Sequence, residues 1–410
     1  CFRQMDGFKD VRPFIGKGVK HYKMQGLYGA QTQNALVICD TLLKHKNLDL
    51  DEMVARFQEL TQGGPEGYFG VYRRPEAYFR KTVSSFSRPD SPSQVDRGPS
   101  NGAYLSAAIP IALYYHDRPQ TMQGQCLKTC MRMSQNLVET TGAALTGFLV
   151  HQLLSVHRQE EPVSEIGESI MRAAVDYCEA TESTLEKLYP QIWDETPKQD
   201  RRAVGSVFRL LADHWRQCEL KDFPALICRH ASAYARVPLS RSTQGNTLTL
   251  LPLAATLLFK TGSDFAAPLT STLNMGGEAD KLGALVGAFA GALHGLACIP
   301  PPWKSRLVNA GEIKRRGEAL ALRRYPSGLR GLYEMESSLT LKEREEGKKY
   351  IRLKPRKPQQ KTKPTALSLE EDAALPSISK KDDPALWRKR QKEKTKNKRD
   401  RRKNLGGIFQ

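Results

Sequence analysis

The side chains with the most chemistry to offer are crowded toward the C-terminal end. Between Trp387 and Lys403, eleven of seventeen positions are Lys or Arg, among them Arg388, Lys389, Arg390, Lys398, Arg399, Arg401, Arg402 and Lys403. A smaller knot, Lys354, Arg356 and Lys357, precedes them. This density suits neutralisation of a phosphate backbone with release of its counterions, and Trp387 supplies a face on which a base can stack. The same composition also serves as a nuclear-localisation signal or as a plain solvated tail. RNA is the partner the pattern favours.

Other candidates are thinner. Cys126 and Cys130 lie one helical turn apart, but no second pair and no nearby His completes a zinc pattern. The eight scattered Cys are therefore expected as free, mostly buried thiols in a reducing compartment. His116–Asp117 suggests either acid–base work or a solvated turn. The Gly-rich segment Gly63–Arg80, with Tyr68, Phe69, Tyr72, Tyr78 and Phe79, either stacks on a base or packs as a loop. Asn101 and Gly102 either line a cleft or begin a helix. No Walker loop, Cys/His zinc pattern or nucleophile elbow is present.

The elements that must position these residues read as helices. Ala35, Leu36, Ile38, Cys39, Leu42 and Leu43 follow helical spacing behind Thr32, the expected N-cap. Met53, Val54, Phe57 and Leu60 share one face of a helix over 50–60. Residues 61–100, rich in Gly, Pro, Ser and Arg, predict a long surface loop. Helices follow over about 103–116, 121–157, 164–188 and 200–219, a short one falls between Pro224 and Pro238, and two more cover 247–260 and 264–274. No stretch alternates like a strand over several elements, so the fold class is all-α with roughly ten helices. No apolar run reaches the length of about 18 uninterrupted residues that a membrane span needs.

Gly283, Gly287, Gly291 and Gly295 recur every fourth residue within 281–296, interleaved with Ala284, Ala288 and Ala292. A Gly in a helix interior costs about 1 kcal/mol against Ala. Close approach of a neighbouring helix is the expected reason. His294 and Pro300–Pro302 argue against a membrane dimer motif.

Charge divides the chain of 410 residues unevenly. Residues 304–410 carry 31 Lys and Arg against 14 Asp and Glu, a net of +17, whereas 1–303 carry a net of only +2. A near-neutral helical domain over 1–303, a partly helical connector over 304–350 and a basic extended tail over 351–410 are expected, and such asymmetry points to a polyanionic partner. The sequence begins at Cys1, which suggests processing or a fragment and leaves any earlier targeting peptide out of view.

The stretch 244–303, running through Asn274–Met275–Gly276–Gly277–Glu278–Ala279–Asp280–Lys281, the Gly/Ala-rich helix and Ile299–Pro300 to Trp303, resembles the C-terminal part of the ADP-ribosylglycohydrolase family. There a helix leads into Asn–x–Gly–Gly–Asp–x–Asp–Thr. Tyr28–Gly29–Ala30–Gln31–Thr32 stands where that family has Thr–Asp–Asp–Thr, and Ser100–Asn101–Gly102–Ala103 stands where it has Asn–Gly–Ala–x–x–Arg. The resemblance covers about 20–303, and the family's first Gly–Asp–Ala–Leu–Gly helix is not seen.

The resemblance implies a compact multi-helix fold and, in intact members, two Mg²⁺ ions held by the acidic residues of those motifs to cleave ADP-ribosyl adducts. Position by position the ligands are depleted. Gln31 is neutral and Thr32 alone matches in the first motif. In the second, Asp280 matches, Glu278 keeps the charge on a longer stem, and Lys281 brings a cation in place of Thr. Ser106 replaces the family's Arg, and a Thr–His step becomes Val138–Glu139. A binuclear site is not expected; Glu278 and Asp280 could hold at most one weak cation, and Lys281 is expected to fill the vacancy as a salt-bridge partner. Gln31, Thr32, Asn101, Gly102, Glu278, Asp280 and Lys281 thus mark a vestigial site with no catalytic residue and no cofactor. The lens crystallins related to this family keep such a fold without its chemistry. The reading that follows is a pseudoenzyme bound through its tail to RNA, expected as rRNA, and to neighbouring proteins of a large particle, with an organellar, mitochondrial ribosome the leading expectation. A Mg-dependent hydrolase with an altered site, or a non-hydrolysing ADP-ribose binder, is the alternative.

Overall fold

The computed structural model describes residues 23–73, 75–86, 97–156, 163–235 and 238–353. The chain divides into two units, 1–354 and 355–410, and all described residues belong to the first. Of the expected tail 351–410, all from Lys354 onward, with Arg356, Lys357, Trp387 and the run to Lys403, lies outside the described residues.

Among the described residues there are sixteen α-helices and no β-strand: α1 (Ala30–His45), α2 (Leu50–Glu59), α3 (Ala77–Ser85), α4 (Ala108–Tyr114), α5 (Pro119–Met133), α6 (Leu137–Val156), α7 (Val163–Leu188), α8 (Pro190–Glu195), α9 (Ala203–His214), α10 (Phe223–Ala231), α11 (Thr247–Thr261), α12 (Ala266–Met275), α13 (Ala279–His294), α14 (Pro301–Arg306), α15 (Ala310–Leu322) and α16 (Leu332–Leu353). The all-α expectation holds.

Two helices form the centre because they are apolar on every face. In α11 every residue from Thr247 to Phe259 is buried, and its Thr256 and Thr261 hydroxyls donate to carbonyls four residues back. Pro252 lies within this helix, at the loss of one backbone hydrogen bond. The second, α6, buries both flanks and packs against α4, α5, α7, α11 and α13. Around α11 stand α7, α9, α10, α12 and α13.

Four expectations need correction. The run 121–157 is not one helix: Ser134 is extended, and Asn136 Oδ1 accepts the Glu139 backbone N–H at 3.1 Å, capping a new helix. Ser and Asn compete for backbone groups and so end one helix and start the next. Residues 61–100 are not simply a surface loop. They contain α3, and Val71, Tyr72 and Arg73 are fully buried, with Tyr72 and Phe79 meeting edge to face at 5.1 Å. These two rings fill the core and offer no face to a base. Thr32 is not the N-cap; Gly29 is, and Thr32 falls in the first turn of α1. The Gly stripe of α13 is not closely packed along its length. An added Cβ would meet Leu269 of α12 at 3.6 Å from Gly287 and nothing within 4 Å from Gly291.

Residues 304–350, expected as a partly helical connector, lie largely in α14, α15 and α16, the last running on to Leu353, and polar side chains of α15 and α16 are buried against α1. Arg316 forks onto Asp40, its Nε 2.7 Å from Oδ1 and its Nη2 3.1 Å from Oδ2. On α16, Glu336 accepts hydrogen bonds from Tyr28 Oη at 2.5 Å and Gln33 Nε2 at 2.7 Å, and is ion-paired with Arg73. The guanidinium of Arg73 also reaches the Tyr28 carbonyl at 2.9 Å. These contacts fix the start of α1, where the first motif lies. The seven described Cys are free thiols, four of them buried.

Candidate functional site

Three pieces of chain converge: the first turn of α1, the turn 100–107 ahead of α4, and the Gly276–Gly277 turn that opens α13. The last needs glycine at its second position. Gly277 has φ +67°, and a Cβ there would lie 2.3 Å from Thr243 Oγ1. This turn presents the Glu278 backbone N–H to the Thr243 carbonyl at 3.0 Å and sets α13 running with Lys281 in its first turn.

Lys281 is buried, and its ammonium is the centre of the arrangement. It donates to the Asn101 carbonyl at 3.0 Å, is ion-paired with Glu76, and stands 3.7 Å from Glu278 Oε2. The Asn101 side-chain amide donates to the other oxygen of Glu76, and Asn101 Oδ1 accepts the Ala103 N–H at 3.1 Å. Gly245 passes close overhead: a Cβ there would lie 3.4 Å from the ammonium. Lys281 is thus a salt-bridge partner, but its main partner is Glu76 and not Glu278 alone.

Behind this pair sits Glu139, fully buried. It accepts the N–H groups of Gly102 and Tyr104, each at 3.0 Å, and the hydroxyl of Thr247. Burial pushes its carboxyl above the usual carboxylate range, against the pull of those three donors and of the Lys281 charge. Gly102 takes φ +73° to aim its N–H at this carboxylate and at Thr247 Oγ1, 3.1 Å away.

At the first motif, the buried Gln31 accepts a hydrogen bond from Ser106 Oγ at 2.9 Å. A neutral amide paired with a hydroxyl replaces what the motifs implied as a carboxylate and an Arg. Thr32 is half-buried beside it. Asp280 is exposed on the first turn of α13. Gln31, Asn101, Gly102, Glu278 and Lys281 therefore fall within or beside one arrangement, with Asp280 on its solvent side. His116–Asp117 is elsewhere: Asp117 is ion-paired with Arg323 at the end of α15, and His116 Nδ1 faces the Leu113 carbonyl at 3.1 Å. It is a pinned turn.

Sequence reading missed Glu76, assigned to a loop, and the part played by Glu139. Both left a signal. Pro75–Glu76 opens a segment with Phe79, Thr82 and Val83 on one buried face. Glu139 is the single charged residue other than His in the apolar run of α6, where a carboxylate stays only if paired.

A family model for ADP-ribosylglycohydrolase matches residues 3–330, most of the chain and more than the motifs alone indicate. The chain belongs to the ADP-ribosylglycohydrolase family. A 58-residue stretch is 45% identical to the ADP-ribosyl-(dinitrogen reductase) glycohydrolase of Rhodospirillum rubrum, covering 14% of this chain and 20% of that protein. The match spans a fifth of the curated relative. A solved structure described as an ADP-ribosylglycohydrolase-related protein complex shares the fold, with a TM-score of 0.50 and 19% identity over 80% of this chain and 88% of that one.

The metal pair that this family implies does not fit the residues present. Mg²⁺ requires several hard oxygen donors in octahedral array. Here the Gln31 oxygen is taken by Ser106, the Glu76 oxygens by Lys281 and Asn101, and the Asn101 carbonyl by Lys281. An ammonium stands among the carboxylates, and its charge repels any second cation.

Proposed function

We propose that this chain is a catalytically silent member of the ADP-ribosylglycohydrolase family that serves as a structural component of an RNA-containing particle. The observation that carries the silent half is the buried Lys281 ammonium, ion-paired with Glu76 and bonded to the Asn101 carbonyl. An internal cation satisfies the carboxylates and leaves no ligand set for the water-activating metals of the family. The RNA half rests on the partition of charge, a net of +17 beyond residue 303 on an otherwise near-neutral chain. A polycationic extension binds a phosphate backbone with little demand on sequence. A mitochondrial or other organellar ribosome, with rRNA and neighbouring proteins as partners, is the particle this reading favours.

Two measurements test it together. Native lysate is run on a sucrose gradient with and without RNase while the purified chain is assayed for release of ADP-ribose from a modified protein with and without Mg²⁺. Co-migration with a ribosomal particle that RNase disrupts, and no turnover, are expected. Migration as a free protein overturns the particle reading, and Mg²⁺-dependent release of ADP-ribose overturns the silent one.

A further inference from the structure

A cleft of about 540 Å³ opens between α10 and the segment 239–243, with Met275 at the end of α12 closing one side. Its volume falls in the range of about 300–1,000 Å³ usual for small-ligand pockets. No carboxylate lines it. Two guanidinium groups do, Arg229 from α10 and Arg241 from the segment that follows. Both are exposed, and neither donates a hydrogen bond or forms an ion pair among the described residues. Ser242 and Thr243 add hydroxyl groups on the inner wall, and Leu239 and Met275 add an apolar one.

Several other exposed Arg among the described residues have partners nearby: Arg172 and Arg216 share Glu168, and Arg209 reaches Glu179. Two unpaired guanidinium forks facing one concavity, with hydroxyl donors behind them, are arranged for an anion with several acceptor oxygens. Arg presents its N–H groups in a planar fork that matches phosphate. The apolar wall is suited to a ring attached to that phosphate.

The geometry points to a binding site for the phosphate of a nucleotide in this cleft, held by Arg229 and Arg241. It is separate from the Lys281 arrangement, which is built on Glu76, Asn101 and Glu278, but the two adjoin. Thr243 lines the cleft while its carbonyl accepts the Glu278 N–H at 3.0 Å. The inference does not depend on the silent or RNA-bound reading. The phosphate could belong to a free nucleotide or to the end of an RNA strand.

The test uses the full chain and calorimetric titration with ADP, adenosine, and a short RNA with and without a 5′-phosphate. ADP is expected to bind at least tenfold more tightly than adenosine. Arg229→Glu with Arg241→Glu should lose that preference with the melting temperature unchanged, because both side chains are exposed. Lys281→Ala should keep it. Preference for the phosphorylated RNA over its unphosphorylated form, abolished by the same double change, would assign the phosphate to an RNA end; preference for ADP would assign it to a free nucleotide. Equal binding of ADP and adenosine by the native chain, together with equal binding of the two RNAs, overturns the proposal. So does a phosphate preference that survives the double charge reversal or disappears in Lys281→Ala.

Discussion

Lys281 and Glu76 form an ion pair in which both partners are also held by one residue, Asn101, whose carbonyl accepts a hydrogen bond from the ammonium and whose amide donates one to the carboxylate. The three come from α13, the N-cap of α3 and the turn before α4, so the pair ties distant parts of the chain together. Sequence comparison alone shows a Thr-to-Lys replacement. The fold adds that the new charge has a counter-charge waiting at a position no motif contains.

Replacing Lys281 by Thr should leave Glu76 and Glu278 without their cation. The cost is expected at about 1–3 kcal/mol, below the 3–5 kcal/mol typical of a fully buried pair because Glu76 is partly exposed. Millimolar Mg²⁺ should then raise the melting temperature of Lys281→Thr and leave the native chain unmoved. An equal rise in both would show that the native site already accepts the metal.

A second prediction concerns Glu182 on α7, which is buried and whose carboxyl is pushed up from 4.5 to about 8, chiefly by desolvation, with Arg202 opposing and Glu179 assisting. A carboxyl with a raised folded-state pKa is favoured in its protonated form. Its contribution is therefore fully present below about pH 4.5 and is lost as the pH rises through about 8. Glu182→Gln, which cannot ionise, should match the native melting temperature at pH 5 and exceed it by several degrees at pH 8.5. A constant difference across that range would place the carboxylate in a more solvated setting.

The Arg316–Asp40 fork anchors α15 on α1. Both side chains are buried, so Arg316→Ala leaves an uncompensated carboxylate and should cost about 3–5 kcal/mol. Arg316→Lys supplies charge without the two-pronged geometry and should recover only part of that loss. Urea unfolding midpoints of the three proteins measure it, and a native-like midpoint for Arg316→Ala would mean that water or another cation enters the gap.

What the sequence made legible was local. The apolar run of α11, the paired glycines before α13 and the spacing in α1 and α2 each encode their element within a few residues, and the family resemblance placed them in order. Lys281 could be read as a salt-bridge residue, but the partners in the buried ion pairs were not legible, because nothing within a few residues of Glu76, Asp40 or Arg73 names Lys281, Arg316 or Glu336. Buried charges are selected by long-range packing. The segment 61–100 was misjudged for the same reason: its Gly and Pro content describes its turns, whereas Tyr72, Arg73 and Phe79 are drawn inward by α2 and α16. Glu139 was visible as an oddity, but its role depends on Gly102 and Tyr104 presenting their N–H groups from another segment.

The two kinds of glycine around α13 should respond to alanine in opposite ways. Gly291 is helical, and a Cβ there meets nothing within 4 Å, so Gly291→Ala adds helix propensity without a clash and should stabilise by about 1 kcal/mol. Gly277 has φ +67° and no room beside Thr243, so Gly277→Ala must strain the backbone and move the 239–243 segment as well. A loss of at least about 1–3 kcal/mol is expected from the backbone term alone. Because Thr243 also holds the Glu278 N–H, Gly277→Ala should disturb the Lys281 arrangement, seen as a change in the ¹⁵N signals of Asn101 and Gly102. Gly291→Ala should leave those signals in place. If Gly291→Ala instead destabilised the chain, the small-residue face of α13 would have to be covered by something outside the described residues, and the close-approach explanation for the glycine stripe would return.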